Sequence, residues 1–120
     1  MKMETSKQSS PDFSVVIGSD VKPSTPEPGL TRRIGAFNEK LFLVEHRMER
    51  GWVGARHSHP HEQVVYVVSG HLQVTCGDTT FEVRGGDSFV VKGGIEHKAS
   101  AFEESLVIDI FTPCRNDYVS

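Results

Sequence analysis

"RHSHPHEQVVYVVSG", Arg56 to Gly70, begins as a histidine-rich polar segment and turns abruptly into an apolar run. His57 and His59 are two residues apart, so on an extended strand both imidazoles project to one face and can share an ion. Gln63 has the same parity, and its side-chain oxygen can enter the same sphere if the backbone stays extended past Pro60. The run QVVYVV that follows reads as a buried strand, closed by the turn pair Ser69-Gly70. A solvated polar loop is the competing reading of HSHPH, but the shared face and the buried strand behind it favour a metal site.

The same alternating pattern recurs on both sides. RRIGAF, LFLVEHRM, HLQVTC, TFEVR, SFVV, HKASAF and ESLVIDIF are short strand-like segments, separated by Gly77-Asp78 and Gly85-Gly86-Asp87, whose glycines suit tight hairpin turns. No segment holds a helical period, and no internal repeat is evident. Eight or more short strands from Leu30 onward predict an antiparallel all-β barrel or sandwich. FSVVIG (Phe13 to Gly18) reads as a further short strand, and KPSTPEPG (Lys22 to Gly29), with three prolines, as a connecting segment. Residues 1–12 are expected to form a flexible tail, and residues 13–120 a single domain.

Composition bounds what such a domain can do. A chain of 120 residues, 37% hydrophobic, can bury one core, and a net charge of −3 gives no general pull toward nucleic acid or anionic membrane. Recognition of an anion must therefore come from individually placed basic groups. The start, MKMETSKQSSPDF, lacks the apolar core of a signal peptide, and no stretch approaches the roughly 18 apolar residues of a spanning helix. A soluble cytoplasmic protein without nucleic-acid or membrane partners is expected. Cys76 and Cys114 lie far apart without CxxC spacing, so a buried free thiol at Cys76 is expected, not a sulfur-based metal site.

A further ligand should come from another strand. His97 is the best candidate, because it opens HKASAF after a hairpin and shares parity with the small residues Ala99 and Ala101. Three imidazole nitrogens and one amide oxygen, from His57, His59, His97 and Gln63, suit one borderline divalent metal such as Zn, Ni, Mn, Fe or Co. His61 shares the parity but sits against Pro60, and is read as a bystander. His71 alternates with Gln73 and Thr75 on a solvated face; His46 shares the apolar face of Phe42, Val44 and Met48 and is read as a satisfied core histidine, or secondarily as a cavity wall.

These residues resemble the two motifs of the cupin superfamily. Gly51, His57, His59, position 63 and Gly70 meet G-x5-HxH-x3-E-x6-G in spacing, with Gln63 in place of the usual glutamate. Gly86, Gly94 and His97 meet the second motif, with Lys92 at its proline position and Ala101 at its asparagine position. The resemblance runs from about Leu30 to Tyr118 and implies a jelly-roll barrel of six to eight strands, commonly dimeric, with its metal inside the barrel mouth. The ending DIFTPCRNDY, with HPHEQ, is similar to bacterial single-domain cupins that linearise unsaturated uronates released by pectin or alginate lyases. That likeness implies the metal set His57, His59, Gln63 and His97, with Asp109 as the catalytic group and Phe111 and Arg115 at the substrate.

The residues support these roles on their own terms. Asp109 interrupts the apolar run LVIDIF, where a carboxylate needs Arg115, a metal-bound water or a raised pKa to be tolerated. Those are also the conditions of a general acid or base. Phe111 alone reads as packing, and beside a sugar ring as an apolar wall. Arg115 lies past Pro113 and can grip a carboxylate bidentately with its planar fork, or stand as an exposed terminal arginine. An amide at position 63 leaves a divalent ion among four neutral ligands, so the site favours an anionic ligand.

The sequence thus predicts a metal-dependent enzyme that opens a cyclic 4,5-unsaturated uronate to its linear keto form. An iron-dependent dioxygenase acting on a small enol or diketone, and a non-catalytic module that binds a sugar acid, are the alternatives. A homodimer is expected, because VVYVV is apolar on both strand faces and FSVVIG can add an edge strand to a neighbouring subunit.

Overall fold

The structure, a computed structural model, describes residues 11–119. Of the expected tail, residues 1–10 lie outside the described residues, while Pro11 and Asp12 are exposed. Nine strands follow one another: β1 Ser24–Glu27, β2 Leu30–Phe37, β3 Phe42–Met48, β4 Glu62–Ser69, β5 His71–Cys76, β6 Thr79–Arg84, β7 Ser88–Val91, β8 His97–Ala101 and β9 Ser105–Thr112. A single helical turn, α1 Asn116–Val119, closes the chain. β1-β2-β3-β9-β4-β7 form one sheet and β6-β5-β8 a second, with every pairing antiparallel.

Alternation builds the core. Phe42, Val44, His46 and Met48 of β3, and Ser105, Val107, Asp109 and Phe111 of β9, are the buried members of their strands, with more exposed residues between them. Leu30, Met48, Val65, Val67 and Val107 from the larger sheet meet Leu72, Val74, Val83 and Ala101 from the smaller one in a single apolar cluster. This is the layered packing of a jelly roll. A second cluster, Phe42, Val44, Phe111 and Cys114, lies toward the C-terminal turn. Cys76 is a half-buried free thiol and Cys114 a buried one.

The expected antiparallel jelly roll is present as a pair of facing sheets, with no continuous ring of hydrogen bonds among the described residues; its nine strands there meet the eight or more read from alternation and exceed by one the six to eight implied by the cupin resemblance. Two segment readings need correction. The ninth comes from the proline-rich segment. Ser24–Glu27 pairs with β2, and its register is irregular between Ser24 and Glu27, around Pro26. An edge strand tolerates a residue without an N–H, because one side of it needs no ladder. Gly29, with φ of 84°, turns the chain from β1 into β2. FSVVIG, by contrast, contains no strand: Phe13 to Ile17 are exposed and unpaired in any sheet, and a 3-10 turn begins at Gly18.

The approach to β4 also differs from a regular strand. His57 forms an isolated bridge with His97, and β4 begins only at Glu62, so His59 sits on irregular backbone. Gly70 has φ of 103°, and a Cβ there would collide with Ser105, so the turn after β4 admits glycine alone. Among the described residues, no helix is long and apolar enough to cross a membrane.

Candidate metal centre

His57 and His97 face each other through two backbone hydrogen bonds, His57 N–H to His97 O at 3.0 Å and His97 N–H to His57 O at 2.8 Å. Their rings lie 4.4 Å apart, and the His59 ring lies 5.0 Å from that of His97. Among the described residues, the ligand atoms of these three histidines lie within 4.8 Å of one another. The irregular backbone at His59 therefore replaces the strand parity that the sequence suggested, with the same convergence.

Each ring is oriented through its other nitrogen. Nδ1 of His57 is 3.0 Å from Ala55 O, Nδ1 of His59 is 3.0 Å from His61 O, and Nδ1 of His97 is 2.9 Å from Ile95 O. A carbonyl only accepts, so each Nδ1 carries the proton and each Nε2 keeps its lone pair. Histidines that bind metals are held in this way. Nε2 of His97 is buried without a hydrogen-bond partner.

Gln63, at the start of β4, joins the group. Its Nε2 donates to Asp109 Oδ1 at 2.8 Å, which turns Oε1 toward His59 Nε2, 3.1 Å away. With the His59 proton on Nδ1, two lone pairs then face one another. Burial, followed by the charges of Arg115 and His97, lowers the pKa of His59 against the opposing pull of its contacts with His61 and Gln63. A cation shared between them would relieve the contact. The convergent lone pairs, the orphaned His97 nitrogen and the lone-pair contact all fit one divalent ion held by His57, His59, His97 and Gln63.

A cavity of about 380 Å³ opens beside these residues, lined by His57, His97, Gln63 and Asp109 together with Arg32, His46, Arg115 and Tyr118. Asp109 is buried, and its partners are not those the sequence suggested. Oδ2 is 2.6 Å from Nδ1 of His46, and Oδ1 takes the Gln63 amide; no Arg115 pairing is involved. Inward-facing His46 on β3 thus both lines the cavity and is satisfied.

Arg115 is buried, not an exposed terminal side chain. Its Nε and Nη2 donate to the two oxygens of Asp117 at 2.9 and 2.6 Å, so one bidentate edge is occupied from within the chain. Those hydrogen bonds pull the Asp117 carboxyl down to about 2. Nη1 remains buried and unpartnered. Phe111 is 2% exposed and is not among the cavity-lining residues; it packs with Phe42, Val44 and Cys114, under the guanidinium of Arg115 at 4.6 Å. His61 lies outside the triad, with Nε2 3.2 Å from Cys114 O. His71 is half-buried against Glu82 and is not among the cavity-lining residues.

Sequence reading missed Arg32 and Tyr118. The Tyr118 ring is sandwiched between the guanidinium groups of Arg32, at 3.8 Å, and Arg115, at 4.0 Å. No local signal marks either residue, since Arg32 lies in β2, whose burial does not alternate, and Tyr118 comes after the last strand.

The family model described as a cupin domain matches residues 44–110. The chain belongs to the cupin family. Among curated proteins, this cupin is 30% identical over 93 residues to the pectin degradation protein KdgF of Dickeya dadantii (strain 3937), covering 76% of this chain and 84% of that protein. Among solved structures, KdgF from Halomonas sp. is 37% identical with a TM-score of 0.83, over 88% of this cupin and 99% of that chain. An RmlC-like cupin from Shewanella frigidimarina NCIMB 400 is 33% identical with a TM-score of 0.82, over 91% and 96% of the two chains.

Proposed function

We propose that this cupin acts in the degradation of pectin or a related uronate polymer, by converting a cyclic 4,5-unsaturated uronate to its open-chain keto form. The observation that carries the reading is Gln63, whose amide links Asp109, at 2.8 Å, to the histidine centre, at 3.1 Å from His59. A proton-handling carboxylate therefore stands beside a place for a cation, in a cavity that also contains Arg115. The likeness to two KdgF proteins supports the same reading.

His57, His59, His97 and Gln63 are the proposed ligands. A divalent ion held there supplies positive charge that binds and polarises an anionic oxygen. The free Nη1 of Arg115 holds the substrate carboxylate, while Asp117 and the rings of Tyr118 and Phe111 keep the guanidinium in place. Phe111 is thus proposed to act on the substrate through Arg115. Asp109, held as an acceptor on both oxygens, takes the proton of the ring hemiacetal hydroxyl. The bond between C1 and the ring oxygen breaks with its electron pair going to that oxygen, leaving an aldehyde and an enolate. Asp109 then returns the proton to C4 of the former alkene, and the 5-keto group forms with no net gain or loss of atoms.

The test is loss of the alkene absorbance of several 4,5-unsaturated uronates on adding metal-loaded protein. Acceleration over the spontaneous reaction is expected, and no acceleration with any of them overturns the reading. A homodimer is also proposed. Leu43, Ile110, Val64 and Val90 are register partners across four adjacent strands and form an exposed apolar row on the larger sheet, which a second copy would cover.

A further inference from the structure

Arg32 and His46 are directly opposed in the β2–β3 register, and neither touches the substrate in the chemistry above. Arg32 Nε lies 3.0 Å from Nε2 of His46, both residues line the cavity, and His46 is 8% exposed. Guanidinium only donates. The lone pair of His46 is therefore on Nε2, its proton is on Nδ1, and Nδ1 donates to Asp109 across 2.6 Å. Gln63 Nε2 donates to the other oxygen, Oδ1, so the carboxylate accepts on both sides and the amide presents its nitrogen to Asp109 and its oxygen to His59.

We propose that Arg32 and His46 are positioning residues that set the direction of this hydrogen-bond chain, from Arg32 through His46 and Asp109 to Gln63, and so aim the Gln63 oxygen at the metal centre. Arg32 is itself held at one end by the Tyr118 ring beneath its guanidinium, and Tyr118 stands edge-on to His46. Without the fixed donor, the imidazole is free to adopt the other tautomer. Nδ1 and the Asp109 carboxylate then oppose one another as acceptors, the carboxylate shifts, and the amide loses its reason to point one way.

The inference rests on the proposed metal site and uronate chemistry, and the experiment separates them. Histidine nitrogen resonances of isotopically labelled, metal-free protein report the His46 tautomer, and chelator competition reports Zn(II) affinity. The wild type is expected to hold His46 as the Nδ1–H tautomer. Arg32→Met is expected to populate the Nε2–H form and to weaken Zn(II) binding about 10-fold, the lower end of the effect of removing a group that supports a metal ligand. His46→Leu is expected to lose about 10- to 100-fold in kcat with KM little changed, and His46→Asn, which keeps a donor toward Asp109, to recover most of it. An unchanged tautomer and unchanged Zn(II) affinity in Arg32→Met overturn the proposal, whatever the activity. An inactive wild type with the expected tautomer and affinity changes overturns the uronate reading alone. If His46→Leu does not fold, as circular dichroism would show, Arg32→Met and His46→Asn still decide.

Discussion

Gln63 donates to Asp109 at 2.8 Å, and the same amide presents its oxygen to His59 at 3.1 Å. One side chain therefore serves two neighbours of opposite demand, a carboxylate that needs a donor and a centre that needs an acceptor. A glutamate in its place would meet the second demand and violate the first.

Gln63→Glu is accordingly expected to tighten Zn(II) binding, through the added negative charge, while slowing uronate opening about 100-fold. Two carboxylates at this distance cannot both stay ionised, and the lost acid–base function is of that order. Measuring Zn(II) affinity and kcat on one preparation checks both directions; a variant as fast as the wild type contradicts the argument.

Asp109→Asn should lower kcat by about 100-fold or more even at saturating metal, where its weakened hold on the Gln63 amide no longer limits occupancy. Elemental analysis of the purified variant, beside its kinetics, separates lost proton transfer from a lost ion. Full activity of the variant once saturated with metal would confine Asp109 to holding the Gln63 amide.

Removing the metal should abolish activity and lower the melting temperature, with both restored by adding the ion back. A ligand at one hundred times its Kd stabilises the folded state by about 2.7 kcal/mol. Calorimetry of chelator-treated and reconstituted protein measures the difference, and identical curves would argue against an ion at this site.

Metal-free protein should lose stability as the pH falls below 6.5. Burial is the main cause that lowers the pKa values of His59 and His97 from 6.5, so the unfolded chain takes up protons that the folded state refuses. More protons on the unfolded state means stability that is present above 6.5 and declines as pH drops through the lower folded values. Thermal melts between about pH 8 and about pH 5 follow the trend, and His59→Asn should flatten it.

Light scattering should report a dimer, and Val64→Asp, in the middle of the exposed apolar row, should shift it to monomer. A monomeric wild type would refute the proposed use of that sheet face.

The fold and the histidines could be read locally, because strand alternation and turn glycines act within a few residues. The eight segments from RRIGAF to ESLVIDIF all became strands, and His57, His59 and His97 converged. β1 escaped notice because prolines argue against strands in general, although an edge permits them. FSVVIG misled in the opposite way, since an apolar composition says nothing about whether a partner strand is near.

What the sequence by itself determined is the all-β architecture and the three histidines, His57, His59 and His97, that converge in it, since spacing and side-chain chemistry are properties of the chain. Only the tertiary structure decided their partners. Asp109 answers to His46 and Gln63 instead of Arg115, Arg115 is engaged by Asp117, and Arg32 and Tyr118 enter the site from opposite ends of the chain. Register across β2, β3, β9 and β4 brings these groups within hydrogen-bonding or stacking distance, and register between distant strands is settled by packing the whole core, not by any local pattern.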